Sequence, residues 1–140
     1  MNLFDISSKL THRDLDVLSV LWDSKKPLTA SEIVAANPAL NKNTVQPVLR
    51  KLLKNELVQV ADIVYSGTVL SRSYIPSISR QELSLYRLSS EYRQLEKDVS
   101  KASFFSFLLK TEDNQEKFQE DLRELEELLE SYKQKDNESE

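Results

Sequence analysis

The sequence contains no cysteine, one histidine and one glycine among its 140 residues. Without cysteine the chain can form neither disulfide bonds nor thiolate metal sites, and it lacks a cysteine nucleophile. The single histidine, His12, cannot by itself build a metal site or a proton relay. We therefore expect no metal, no cofactor and no enzymatic activity.

Long apolar runs are missing as well. The longest, Phe104 to Leu109, is interrupted by Ser106 and is far shorter than the ~20 residues that a membrane-spanning helix needs. The N-terminus shows neither the basic segment nor the apolar segment of a secretory signal. These absences predict a cytoplasmic protein with no membrane insertion.

The charges are distributed unevenly along the chain. Residues 1–76 carry nine Lys or Arg and seven Asp or Glu, whereas residues 77–140 carry ten and sixteen. Within the first part, the segment from Lys42 to Lys54 has four cationic side chains and no acidic one. Such a local concentration of positive charge suits phosphate, so the net charge of -4 does not exclude nucleic acid as a partner.

Two short helices are predicted in the first forty residues. Thr11 is expected to cap a helix whose apolar pattern continues to Trp22. Thr29 and Glu32 have the spacing of a capping box and predict the start of a second helix. Asn37-Pro38 should end this helix, because the residue before proline disfavours helical backbone angles.

A third helix is predicted roughly from Lys42 to Asn55. Its apolar residues fall on one face and its cationic residues mainly on the other faces. The apolar face can therefore pack against the core while the cationic side chains remain exposed to solvent. Pro47 removes a helical hydrogen bond, and we expect it near the N-terminal end, with a local kink as the alternative.

From Leu57 onwards the pattern changes to the branched and aromatic residues typical of strands. Two such runs flank Ser66-Gly67-Thr68, where Gly67 suits a turn that requires a positive φ, and Pro76 follows the second run. Three helices followed by a hairpin predict a winged helix-turn-helix. We assign residues 1–76 to a winged helix-turn-helix DNA-binding domain.

Residues 77–140 are predicted to form a helical dimerisation domain. Ser79 and Glu82 have capping-box spacing and should start a longer helix that reaches Val99, and Thr111 or Asn114 can cap the last helix. That helix has apolar residues at alternating spacings of four and three, typical of a heptad seam that needs a partner. The fold class is therefore mainly α with a small β-hairpin. The predicted dimerisation residues are Leu83, Tyr86, Tyr92, Phe104, Phe105, Leu108, Phe118, Leu122, Leu125, Leu129 and Tyr132.

Four segments of this sequence carry a resemblance to a known family: Leu10 to Trp22, Leu28 to Ile33, Asn43 to Leu52 and Ser73 to Pro76. These segments resemble the penicillinase repressor family, which comprises repressors that respond to beta-lactams or copper. The similarity covers roughly residues 8–76, and the C-terminal helices resemble the family only in their general character. The resemblance implies a homodimer that binds a pseudo-palindromic operator and represses a downstream gene.

Two departures from the family limit what the resemblance implies about induction. Copper-responsive members carry a C-terminal cysteine-pair motif, and this chain has no cysteine. Beta-lactam-responsive members are cleaved at an Asn-Phe bond in the helical arm, where this chain has Ser106-Phe107. The resemblance therefore implies no particular operator sequence, regulated gene, sensor protease or effector.

In a helix-turn-helix the second helix of the motif enters the major groove, so Asn43, Thr44 and Gln46 are predicted to contact base edges. For Asn43 the alternative is a role as helix N-cap. Trp22 and Tyr74 fall at apolar positions and are expected in the core rather than on a stacking surface. The residues predicted to contact phosphate are Lys42, Arg50, Lys51, Lys54 and Arg72, with a solvent-exposed helix face as the alternative for Lys51 and Lys54.

Two other classes of function were weighed. A winged-helix protein–protein interaction module would use the acidic arm to bind another protein, and the basic helix would then be incidental. An enzyme is disfavoured, because Glu112, Asp113 and Glu116 fit the acidic start of a helix and no histidine, cysteine or phosphate-binding loop accompanies them.

Overall fold

The computed structural model describes residues 2–139, and this range contains seven helices and three strands. The chain divides between Arg93 and Gln94 into two compact units, called here the first and the second unit. The elements are α1 (Leu3–Ser8), α2 (His12–Asp23), β1 (Leu28–Thr29), α3 (Ala30–Ala36), α4 (Lys42–Lys54), β2 (Val58–Ser66), β3 (Val69–Pro76), α5 (Arg80–Leu95), α6 (Lys101–Lys110) and α7 (Gln115–Glu138).

The predicted starts of α2 and α3 are confirmed, and both are complete capping boxes. The Thr11 hydroxyl accepts the Asp14 N–H at 3.2 Å, and the Asp14 carboxylate accepts the Thr11 N–H at 2.8 Å. Thr29 and Glu32 make the same reciprocal pair at 3.2 and 3.0 Å. As predicted, α3 ends at Ala36, directly before Asn37-Pro38.

Helix α4 lies where the sequence predicts the recognition helix. Its N-cap is Asn41, whose side chain accepts the Thr44 N–H at 3.0 Å, so Asn43 is not the cap. Pro47 is not at the N-terminal end but inside the helix, as its sixth residue. The buried residues of α4 are Val45, Val48, Leu49 and Leu52.

The predicted hairpin is confirmed and belongs to a three-stranded antiparallel sheet of order β1-β3-β2. Ser66 pairs with Val69 around a two-residue turn, and Gly67 at this turn has a φ of 67°. Strand β1 was not predicted, because its two residues are too few to show an alternating pattern. Leu28 of β1 pairs with Tyr74 and so ties the base of the hairpin to the start of α3.

The core of the first unit lies between α2, α3, α4 and the base of the hairpin. Val17, Leu18, Ile33 and Leu52 are fully buried there. Tyr74 is buried, and the partly buried Trp22 donates its indole N–H to the Ile78 carbonyl at 2.9 Å. The expectation that Trp22 and Tyr74 belong to the core is confirmed.

Helix α5 belongs largely to the first unit, which therefore extends past residue 76, where the sequence analysis ended the DNA-binding domain. Leu83 is buried, and the Ser90 hydroxyl donates to the Phe4 carbonyl at 2.8 Å. This contact joins α5 to α1, a short helix that the sequence analysis missed. The Ser79 hydroxyl caps α5 as expected, but the helix ends at Leu95 and does not reach Val99.

The second unit contains α6 and α7. Ser100 caps α6, and Asn114, rather than Thr111, caps α7 by accepting the Lys117 N–H at 3.0 Å. Neither helix has a buried residue in the single chain. Within residues 2–139, no helix combines the length and the apolar character that crossing a membrane requires.

Candidate nucleic-acid interface

A groove of about 480 Å³ lies between α4, β3 and the first turn of α3. Lys42, Gln46 and Arg50 line it from α4, Arg72 lines it from β3, and Ser31 lines it from α3. Four of the residues predicted to bind DNA therefore meet at one surface, although Arg72 is distant from the others in sequence.

The amphipathic pattern of α4 determines which of its side chains face the groove. Lys42, Gln46 and Arg50 are spaced by four residues and so lie on one side of the helix. Val45 and Leu49 are buried on another side and set the rotation of the helix about its axis. Burial of each such side chain stabilises this arrangement by about 1.5–3 kcal/mol.

The hairpin places Arg72 next to α4. In β3, Arg72 lies two residues before the buried Tyr74, so both side chains are on the same face of the strand. Tyr74 also lines the base of the groove, which brings that face towards α4. Arg72 is exposed and lies opposite Ile63 in the strand register.

The residues predicted to contact bases lie at the start of α4. Asn43 and Gln46 are exposed, which leaves their amide groups accessible to a ligand. Thr44 is half-buried, and its hydroxyl donates to the Asn41 side chain at 3.2 Å. The Thr44 hydroxyl proton therefore takes part in the helix cap.

The structure corrects the assignment of Lys51. Its ammonium group forms an ion pair with Asp14, whose side chain is 2% exposed, and also donates to the Lys9 carbonyl at 3.4 Å. Lys51 thus connects α4 to the start of α2, and it is not among the residues that line the groove. Lys54 is exposed but is not among the residues that line the groove.

Thr29 and Glu32, at the start of α3, form its helix cap. The pKa of Glu32 is lowered mainly because its carboxylate accepts the Thr29 N–H, and Lys26 at 3.4 Å acts in the same direction. In the described part of the chain, no three histidine or acidic side chains are grouped so that they could hold a metal ion.

The second unit exposes apolar side chains at most of the positions predicted for dimerisation. Phe118, Leu122 and Leu125 of α7 are half-buried within the unit, and α6 and α7 form a cleft of about 330 Å³. The remaining predicted residues of this unit are 37–62% exposed: Phe104, Phe105, Leu108, Leu129 and Tyr132.

The α5 residues predicted for dimerisation need correction. Leu83 is 1% exposed, and the Tyr86 ring packs edge-on against Phe4 at 4.9 Å between centroids. Both side chains are engaged within the first unit and are not free for a second chain. The predicted Tyr92 is half-buried. Three exposed leucines of α5 were not predicted, although with Tyr92 they have a regular spacing of three, four and three residues that could have indicated them. They are Leu85, Leu88 and Leu95, called here the leucine stripe of α5.

Solved structures similar to this chain include MarR of Staphylococcus aureus in complex with salicylate and kanamycin and the Hop2-Mnd1 complex of Giardia lamblia. MarR is 17% identical with a TM-score of 0.44, over 94% of this chain and 79% of that one. The Giardia protein is 17% identical with a TM-score of 0.37, over 88% and 78%. The search of curated proteins gave no match.

The sequence profile of the family described as Penicillinase repressor matches residues 10–131, which span both compact units. The chain therefore belongs to the penicillinase repressor family, whose members are DNA-binding regulators of transcription and not enzymes.

Proposed function

We propose that this protein is a transcriptional repressor that binds a pseudo-palindromic operator as a homodimer. Helix α4 enters the major groove, and the wing, the hairpin around residues 66–72, lies along the DNA backbone. The observation that carries the proposal is the groove at which Lys42, Gln46 and Arg50 meet Arg72. Three cationic side chains from two elements surround the exposed glutamine. The cations can bind DNA phosphates while the glutamine amide binds the edge of a base between them.

The side chains of this surface have two roles, contact with bases and contact with phosphates. Gln46 can pair through its amide with the N6 and N7 edge of adenine, and Asn43 is placed to do the same one turn earlier. Lys42, Arg50, Lys54 and Arg72 contact phosphates, which sets the position of the protein and the salt dependence of binding.

The dimer follows from the exposed apolar surface of the second unit. Phe105, Leu108 and Leu129 are about half exposed in the single chain, and a partner chain would remove them from water at ~25 cal/mol per Å² of apolar surface. A two-fold symmetric dimer presents two copies of α4, which is why the operator is expected to be pseudo-palindromic.

The competing function is a winged-helix protein–protein interaction module. One observation favours it: the β2–β3 hairpin carries large apolar side chains that are 59–74% exposed, namely Ile63, Tyr65, Val69 and Leu70. The four cationic side chains assigned to phosphate favour the DNA-binding function.

Fluorescence anisotropy separates the two functions. The full chain is titrated onto a duplex from the region upstream of its own gene and onto a scrambled duplex, each at two salt concentrations. A repressor binds the upstream duplex more tightly, and its affinity falls steeply with salt. Weak binding that is indifferent to sequence and salt would support the interaction module instead.

A further inference from the structure

Pro47 is an exposed residue in the second turn of α4. Proline inside a helix removes one backbone hydrogen bond and costs helix stability. The core face of α4 is formed by other residues, including Val45 and Leu49, so packing of the core does not offset this cost.

Pro47 lies on the face of α4 that carries the proposed base contacts. Asn43, Gln46, Pro47 and Arg50 stand at positions i, i+3, i+4 and i+7 of one helix, and all four are exposed. Pro47 is the apolar member of this polar face: the side-chain amides of Asn43 and Gln46 precede it, and the guanidinium of Arg50 follows one turn later.

We propose that Pro47 is a specificity-determining residue that reads thymine by packing its ring on the C5-methyl group. This inference rests on the proposed function, since it requires α4 to lie in the major groove. The C5-methyl of thymine is the apolar group that base edges present there, and apolar side chains recognise it by contact. The pyrrolidine ring loses almost no side-chain entropy when it is immobilised, which favours it for this task.

The test begins with operators selected from a random duplex library by the full-length wild-type protein. Each thymine of the selected duplex is then replaced in turn by deoxyuridine, which removes only the methyl group. One thymine in each half-site should prove sensitive, with wild-type affinity about fourfold lower on deoxyuridine, the effect of one buried methyl group. Pro47→Ala should bind both duplexes with equal affinity.

Two further readouts separate this role from a structural one. Pro47→Ala restores the missing backbone donor, so its Tm should rise while its affinity for the thymine duplex falls. Pro47→Val restores the donor but keeps apolar volume, so it should retain discrimination between thymine and deoxyuridine. A residue important only for folding would not move stability and affinity in opposite directions.

The experiment distinguishes failure of the inference about Pro47 from failure of the proposed function. If the library yields no enriched duplex, sequence-specific binding itself is wrong, and the role of Pro47 falls with it. If an operator is enriched but wild type and Pro47→Ala lose the same affinity on every deoxyuridine duplex, only the role of Pro47 is overturned.

Discussion

Arg50 and Lys51 are neighbours in sequence and carry the same charge, yet their surroundings differ. Arg50 is exposed at the groove, whereas Lys51 is paired with the buried carboxylate of Asp14. One residue advances a helix by about 100°, so adjacent side chains point to different parts of the molecule. The two cations should therefore affect DNA binding and stability in different ways.

Arg50→Ala is expected to lower affinity for all duplexes and to reduce the slope of log affinity against log salt by about 0.9 per chain, because one phosphate contact is lost. Lys51→Ala should leave the slope unchanged and lower the free energy of unfolding by about 1–2 kcal/mol, because the buried carboxylate of Asp14 loses its counter-ion while the partial exposure of Lys51 weakens the pair. Anisotropy titrations and urea unfolding measure the two effects. A reduced slope for Lys51→Ala would contradict the assignment.

Gln46→Ala should weaken binding to the selected operator by about 1–3 kcal/mol and leave binding to a scrambled duplex nearly intact. The reason is that the amide contacts a base edge, which only the operator presents in the right place. Gln59→Ala, at an exposed glutamine of β2, is the matched control. An equal loss on both duplexes would mean that Gln46 does not read sequence.

At the scale of elements, capping groups set where each helix of the first unit begins. Thr29 and Glu32 fix the start of α3, the first turn of which lines the groove through Ser31. Because the Thr29 N–H donates to the ionised carboxylate of Glu32, the pKa of Glu32 is lower in the folded protein than its usual value of 4.5. Ionisation of Glu32 therefore favours folding.

The lowered pKa of Glu32 predicts that the free energy of unfolding depends on pH. The contribution of Glu32 is fully present above the unfolded pKa near 4.5 and is lost as the pH falls through the lower folded pKa. Glu32→Gln should therefore lower the free energy of unfolding at pH 7, and the difference from wild type should shrink towards pH 3. Urea unfolding at several pH values tests this, with Glu91→Gln on α5 as the control. A difference independent of pH would contradict the role of the charge.

At the scale of the whole molecule, the proposed homodimer has two candidate apolar surfaces. The exposed side chains of α7 belong to the second unit, and the leucine stripe of α5 begins in the first. Leu85, Leu88, Leu129 and Tyr132 are all more than half exposed in the single chain, so they can be altered without disturbing a core.

Replacing both Leu129 and Tyr132 by Glu should give a monomer in sedimentation velocity, since two charges would enter the apolar contact between chains. Both side chains are about 60% exposed, so circular dichroism should show that the helices remain. Ser131→Glu, on the same helix, is the control. A dimer that persists would place the interface on α5, and Leu85→Glu with Leu88→Glu would then break it.

The sequence predicted the elements of this protein well where the signal is local. Capping boxes at Thr11 and Thr29, the stop at Asn37-Pro38 and the turn at Gly67 each depend on residues within a few positions of one another. The order of α2, α3, α4 and the hairpin, and with it the winged helix, therefore followed from the sequence, whereas α1 and α6 were not predicted. Elements as short as β1 left no periodic signal.

Tertiary structure decided what each side chain faces. Lys51 could be a phosphate contact, a solvated side chain or a partner of Asp14, and only the packing of α4 against α2 distinguishes these. Leu83 and Leu85 are both apolar residues of α5, yet one is buried and the other exposed, because α5 packs on the first unit with one face. Sequence determined the type and order of the elements through local hydrogen bonds and periodicity, whereas the meeting of Arg72 with α4 required contacts between residues distant in the chain.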